Sequence, residues 1–186
     1  MLRVLRICTV ALAAAAALVG CSRQEPAGTA SSGATAPAAG AQAPAGAERA
    51  PDFTLKDLSG HDVALGSLRG KTVLVDFWAT WCPPCEFQIP VLNEVYAAHR
   101  AQGVEILGVS VDTEGPEVVS SYAQKHGVVY PVLLGSEALA RDFGALGFPA
   151  LVVVAPDGTI HSRHVGLVER DELEQVLAPL LSSPAT

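Results

Sequence analysis

Basic residues are scarce in this chain. Twelve Lys and Arg stand against nineteen Asp and Glu, a formal charge of −7 over 186 residues. A net-acidic surface is a poor match for a phosphate backbone, which argues against nucleic acid as a partner. Phosphate-binding glycine loops and the dinucleotide fingerprint are absent, so no cofactor is expected. The N-terminal apolar stretch, Ile7 to Val19, falls short of the roughly 20 residues that a membrane-spanning helix needs. With Arg3 and Arg6 before it, the stretch has the length and flanks of a secretory signal-peptide core over residues 1–20. Cysteine is rare as well: Cys8, Cys21, Cys82 and Cys85 are the whole complement.

Their positions give them separate fates. Cys8 lies inside the signal segment. The run Leu18-Val19-Gly20-Cys21 resembles the lipobox of bacterial lipoproteins, which implies lipidation of Cys21 as the first mature residue. Loss of Arg3 and Arg6 then leaves a mature charge near −9. An ordinary secretory signal is the alternative, and it exports the domain equally. Cys82 and Cys85 remain as thiols. A single closely spaced pair in an oxidising compartment is a poor structural staple and a good redox centre.

From Ser22 to Ala50, 23 of 29 residues are Ala, Gly, Pro, Ser or Thr. Such a segment has too little apolar surface to fold and reads, over 21–50, as a disordered tether spanning roughly 30 Å. Order is expected from Pro51. Asp52–Lys56 and Asp62–Leu65 read as short strands around the turn Leu58-Ser59-Gly60-His61. Thr72–Trp78 is a β-branched, apolar run suited to a buried central strand. Glu86–Ala101 reads as helix, with Pro83 at its first position and Cys82 at its amino end. There, unpaired N–H groups and the helix dipole favour a thiolate. Val104–Val111 reads as strand, Pro116–His126 as helix, Pro131–Leu134 as strand and Glu137–Phe143 as helix. Ala150–Ala155 and Thr159–Gly166 form a hairpin over Pro156-Asp157-Gly158, before a last helix at Glu169–Leu181. The pattern specifies an α/β three-layer sandwich.

At the centre of this pattern stands Phe77-Trp78-Ala79-Thr80-Trp81-Cys82-Pro83-Pro84-Cys85. It closely resembles the active-site signature of the thioredoxin superfamily, above all its exported, membrane-anchored TlpA/ResA-like branch. The resemblance runs from Pro51 to the end. It implies a thioredoxin-like α/β/α sandwich over 51–186 with a central mixed sheet and an extra N-terminal β-hairpin. It also implies thiol–disulfide oxidoreductase activity, with Cys82 as exposed nucleophile and Cys85 as resolving thiol. The chemistry agrees, since releasing a mixed disulfide needs a second sulfur within reach. Pro149, in Gly147-Phe148-Pro149-Ala150, matches the family's cis-proline opposite the redox pair, and Pro90 its helix-kinking proline. Trp81 is expected beside the thiols as part of the contact surface, and Trp78 in the core.

Asp76, six residues before Cys82, matches thioredoxin's buried aspartate, where many anchored relatives are uncharged. Burial is expected to raise its pKa and make it the base for Cys85. A hydrogen-bonded strand aspartate without a kinetic role is the alternative. Gln88 stands where some relatives carry a functional glutamate. Glu86, in the first helical turn, reads as dipole-compensating. The resemblance further implies a reductase acting on disulfide-containing envelope proteins. It would be fed by an inner-membrane thiol donor, held by its lipid anchor facing the periplasm, and act as a monomer. Ser22 is compatible with the outer membrane. Ala150-Leu151-Val152 lacks the glutamate that the cytochrome-maturation branch carries after its cis-proline.

Two rival readings are a peroxiredoxin-like peroxidase and a copper-binding carrier of the same fold. The first lacks the Pro-x-x-x-Thr-x-x-Cys spacing. The second needs a third ligand, and His161 and His164, three residues apart on a strand, point to opposite faces; no metal site is expected. His61, His99 and His126 read as surface residues, and Asp112, Glu114 and Glu117 as solvated charge near a helix start.

Overall fold

The computed structural model describes residues 47–181, so the signal segment, Cys21 and most of the tether lie outside the described residues. Seven strands form one mixed sheet. β1 (Thr54–Asp57) and β2 (Asp62–Ala64) make an antiparallel hairpin, the extra N-terminal unit expected from the sequence. Its turn is pinned by the Asp57 carboxylate, which accepts from the backbone N–H of Ser59 and of His61. β3 (Thr72–Trp78), β4 (Val104–Ser110) and β5 (Val132–Leu134) run parallel. β6 (Ala150–Val154) and β7 (Ile160–Val165) are antiparallel to each other, with β6 against β3. The spatial order is β2-β1-β5-β4-β3-β6-β7.

All seven residues of β3 are buried, which is why a run without alternation forms its strand: both faces are covered. On one face, Leu74 joins an apolar cluster with Leu92 and Val95 of α1 (Cys85–His99) and Leu173 and Leu177 of α4 (Arg170–Leu181). On the other, Phe77 meets Phe143 at 5.4 Å between ring centroids, and Phe143 meets Phe53 at 5.9 Å. Phe143 directly follows the short α3 (Glu137–Asp142), whose Ser136 hydroxyl accepts from the Leu139 N–H as an N-cap. Helix α2 (Pro116–Lys125) brings Tyr122 against Trp78 at 5.4 Å. Trp78 is thus the core residue that its strand position implies, 3% exposed.

Pairing begins before Pro51. Arg49 bridges Thr159, the Ile160 N–H donates to the Glu48 carbonyl, and Glu48 pairs with Arg163 at 2.5 Å. Glu48–Ala50, assigned above to the tether, are therefore an extension of the sheet edge. Backbone pairing places them there, and residue type gives no sign of it.

Candidate active site

The active-site turn leaves the end of β3 through Ala79 and Thr80 and returns into α1. Cys82 and Cys85 are joined by a disulfide. Helix α1 begins at Cys85, two residues after the Pro83 start expected from the sequence. The physical reason is the Pro83-Pro84 pair: each proline disfavours helical dihedrals in the residue before it, so Cys82 and Pro83 stay outside. The Cys82 carbonyl still accepts from the Cys85 N–H at 3.0 Å, which ties the pair into one turn.

Cys82 is 5% exposed and Cys85 2%, and both belong to an apolar cluster of the core. The expectation of an openly exposed Cys82 is therefore corrected for this oxidised state. The neighbouring surface is apolar: Trp81 is 52% exposed and Phe87 62%. Trp81 meets Phe148 edge to face at 5.9 Å, which brings the Phe148–Pro149 peptide beside the redox turn. That peptide is cis. Pro90 lies within α1, which continues through it to His99.

A carboxylate that the sequence reading treated as solvated holds the turn in place. Asp112, two residues beyond β4, accepts from the Thr80 N–H at 3.0 Å, the Thr80 hydroxyl at 2.5 Å and the Ser110 hydroxyl at 2.7 Å. Three donors on one carboxylate fix the backbone two residues before Cys82 to the end of β4.

Gln88 is 2% exposed and faces away from solvent chemistry. Its amide donates to the Val168 carbonyl at 3.1 Å and accepts from the Val168 N–H at 2.8 Å, clamping α1 to the segment before α4. An ionised carboxylate only accepts and cannot do both. Gln88→Glu should therefore destabilise the fold at neutral pH by roughly 2–3 kcal/mol, since the carboxylate faces a carbonyl it cannot bond. Burial raises such a carboxyl's pKa, so stability should return as pH falls and the protonated oxygen can donate. Urea denaturation at pH 5 and pH 8 checks this; equal losses at both would contradict it.

Two histidines depart from the surface reading. His99 is paired with Glu174 at 2.8 Å, joining α1 to α4, and its side chain is 13% exposed. His126 stacks on Tyr122 at 4.1 Å, with Glu86 4.0 Å away. Glu86 thus has a neighbour at the C-terminal end of α2 besides its place in the first turn of α1. His61 is exposed as expected, and His161 and His164 occupy opposite faces of β7.

Asp76, the fifth of the seven residues of β3, is 2% exposed. Desolvation raises its pKa from 3.8 to about 7, opposed only by the nearby Tyr130 hydroxyl. Burial equally pushes the Tyr130 phenol well above its ordinary value, and the Asp76 charge adds to this. Asp76 Oδ1 and the Tyr130 hydroxyl each lack a well-aligned hydrogen-bond partner. Sequence reasoning found Asp76 and missed Tyr130.

A mixed sheet flanked by helices, a disulfide at the β3–α1 junction and a cis-proline loop beside it define a thioredoxin-fold protein. Comparison with known proteins gives the family: residues 47–163 match the AhpC/TSA family, and the chain belongs to it. The thiol-disulfide oxidoreductase ResA of Geobacillus kaustophilus is 35% identical over 129 residues, 69% of this chain and 74% of that protein. The thioredoxin-like protein YneN of Bacillus subtilis is 30% identical over 132 residues, 70% and 77% of the two chains. Among solved structures, a thiol:disulfide interchange protein of the thioredoxin family from Chlorobium tepidum superposes with a TM-score of 0.66 at 29% identity. That match covers 75% of this chain and all of that one. MTB DsbF, in mixed oxidised and reduced forms, gives 0.62 at 31% identity, covering 69% and 94%. With its own disulfide in the corresponding turn, this protein is a thiol–disulfide oxidoreductase of the TlpA/ResA type.

Proposed function

We propose that the protein is an exported, lipid-tethered reductase of envelope protein disulfides, working through Cys82 and Cys85. The observation that carries the reading is the disulfide between these residues, set in one turn beside an apolar surface. In the reduced protein the Cys82 thiolate attacks one sulfur of a substrate disulfide. A new bond forms to Cys82, and the other substrate sulfur leaves as a thiolate. The Cys85 thiol then gives its proton to Asp76 and attacks the Cys82 sulfur. The mixed disulfide breaks, the second substrate thiolate leaves, and two electrons have passed to the substrate. The enzyme is left with the Cys82–Cys85 bond that the structure contains.

In this scheme Trp81 presents an apolar face to the substrate chain, and the Phe148–Pro149 peptide offers it a backbone edge. An inner-membrane thiol donor restores the dithiol, because glutathione and thioredoxin do not maintain exported thiols. Cys21 anchors the chain as a monomer in the bacterial envelope, facing the periplasm, with Ser22 compatible with the outer membrane. No helix among the described residues is long and apolar enough to cross a membrane. Support for exchange over peroxide reduction comes from the pairing of Cys82 with a resolving thiol in its own turn.

The direction is tested by equilibrating the protein with a defined thiol–disulfide buffer. A reductase should have a potential below about −200 mV, in the range of thioredoxins and glutaredoxins. A value near −120 mV, that of a strong oxidant, would overturn the reductase reading while leaving exchange intact.

A further inference from the structure

Gly108 stands directly opposite Asp76 across the β3–β4 ladder, so any side chain there would share the Asp76 face of the sheet. The ring of Tyr130 occupies that place instead. A Cβ on Gly108 would lie 2.8 Å from Tyr130 Cε2 and 3.1 Å from Trp78 Nε1. The Gly108 N–H donates to the Pro131 carbonyl at 2.8 Å, which locks the Tyr130–Pro131 segment against this point of β4. Tyr96 packs edge to face on the Tyr130 ring at 6.5 Å and limits its retreat. Tyr130 is 5% exposed. Its hydroxyl and Asp76 Oδ1 are thus two buried polar atoms, neither with a well-aligned partner, belonging to residues close enough to influence each other's ionisation. On the other side Asp76 faces Leu151 of β6, which carries no polar group. Among the described residues, Tyr130 is the only ionisable group acting on Asp76.

We propose that Tyr130 is the positioning residue of Asp76: its hydroxyl donates to the carboxylate once Asp76 is ionised, and Gly108 exists to admit its ring. The inference rests on the reading of Asp76 as the base for Cys85. A hydroxyl that rotates onto the ionised carboxylate stabilises that form. Without this donor the buried carboxylate would ionise at a higher pH. Tyr130 therefore keeps Asp76 able to exchange a proton in the range where exported proteins work. The arrangement is indirect, since Tyr130 touches the base and never the sulfur atoms' proton.

The test is an NMR titration of the Asp76 carboxyl carbon in the oxidised protein, where neither cysteine titrates. Tyr130→Phe, which removes one oxygen and keeps the ring, should raise the Asp76 midpoint by about one pH unit. Gly108→Ala, which forces the ring away, should raise it in the same direction. An unchanged or lowered midpoint in Tyr130→Phe overturns the proposal. The rate of mixed-disulfide resolution against pH is then measured in the same variants. Its inflection should move with the Asp76 midpoint, and Tyr130→Phe should add nothing in an Asp76→Asn background. If the midpoint moves while the rate profile stays, Tyr130 positions Asp76 as stated, and it is the role of Asp76 as base that fails.

Discussion

Replacing Asp76 with Asn should make the protein more stable above neutral pH and slower as an enzyme. The two effects have one cause. Asp76 is buried at 2% exposure, and its pKa stands at about 7 instead of 3.8. A carboxyl whose folded pKa is raised favours the folded state fully below the unfolded pKa, and that contribution is lost as pH rises through the folded one. Stability should therefore decline between about pH 4 and pH 7 and level off above. A shift of this size corresponds to about 4 kcal/mol at pH 8, or on the order of 10 °C in Tm. Asn has no charge to desolvate, so the slope should flatten and the variant should melt higher at pH 8. In turn, the rate of resolution should lose its rise near pH 7 and fall by roughly 10²-fold at pH 8, the usual size of a general-base contribution. Calorimetry from pH 4 to 8, paired with stopped-flow resolution rates, checks both. A wild-type-like rate profile would reduce Asp76 to a strand aspartate without a kinetic role.

Changing either cysteine to Ser should abolish turnover by more than about 10³-fold, because neither half of the exchange has a substitute nucleophile. The loss should far exceed any effect on folding. The disulfide spans a sequence separation of 3, and closing so short a loop contributes only about 2 kcal/mol in the chain-entropy description. Denaturation of both variants beside an insulin or synthetic-disulfide turnover assay separates the two effects. The variants should then differ from each other. Cys85→Ser retains the attacking sulfur and should stall with substrate attached, whereas Cys82→Ser should form no such adduct.

The parts of the molecule legible in the sequence are those set by local pattern. β3 occupies Thr72–Trp78 as read, because a strand covered on both faces needs an unbroken apolar run. The Cys82-Pro83-Pro84-Cys85 turn, the cis-proline match and the hairpin before them were legible for the same reason, since each is a short contiguous motif. The missed contacts join residues far apart in the chain. Asp112 reaches Thr80 over 32 positions and Gln88 reaches Val168 over 80. Neither leaves a local trace: Asp112 precedes a helix, where acidic residues are ordinary, and Gln88 sits on a helix that tolerates it anywhere. Tyr130 was hidden in the same way. Its partner is chosen by the β3–β4 register and by the missing side chain of Gly108, and a lone glycine in an apolar strand reads only as a weak spot. The histidines show the converse error, because a polar residue on a helix reads as surface until a second helix covers it. His99, the last residue of α1, pairs with Glu174 of α4, and His126, just past α2, has Glu86 of α1 4.0 Å away.

The assignment of Cys82 as the sulfur that bonds to substrate, and Cys85 as the one that releases it, is the point on which the whole mechanism turns. It is tested most directly by reacting reduced Cys85→Ser with a disulfide-containing protein, quenching with acid and mapping the linked peptides by mass spectrometry. The expected result is a stable adduct with its bond on Cys82, and no adduct from Cys82→Ser under the same conditions. An adduct carried by Cys85 in Cys82→Ser, with none on Cys82, would contradict it.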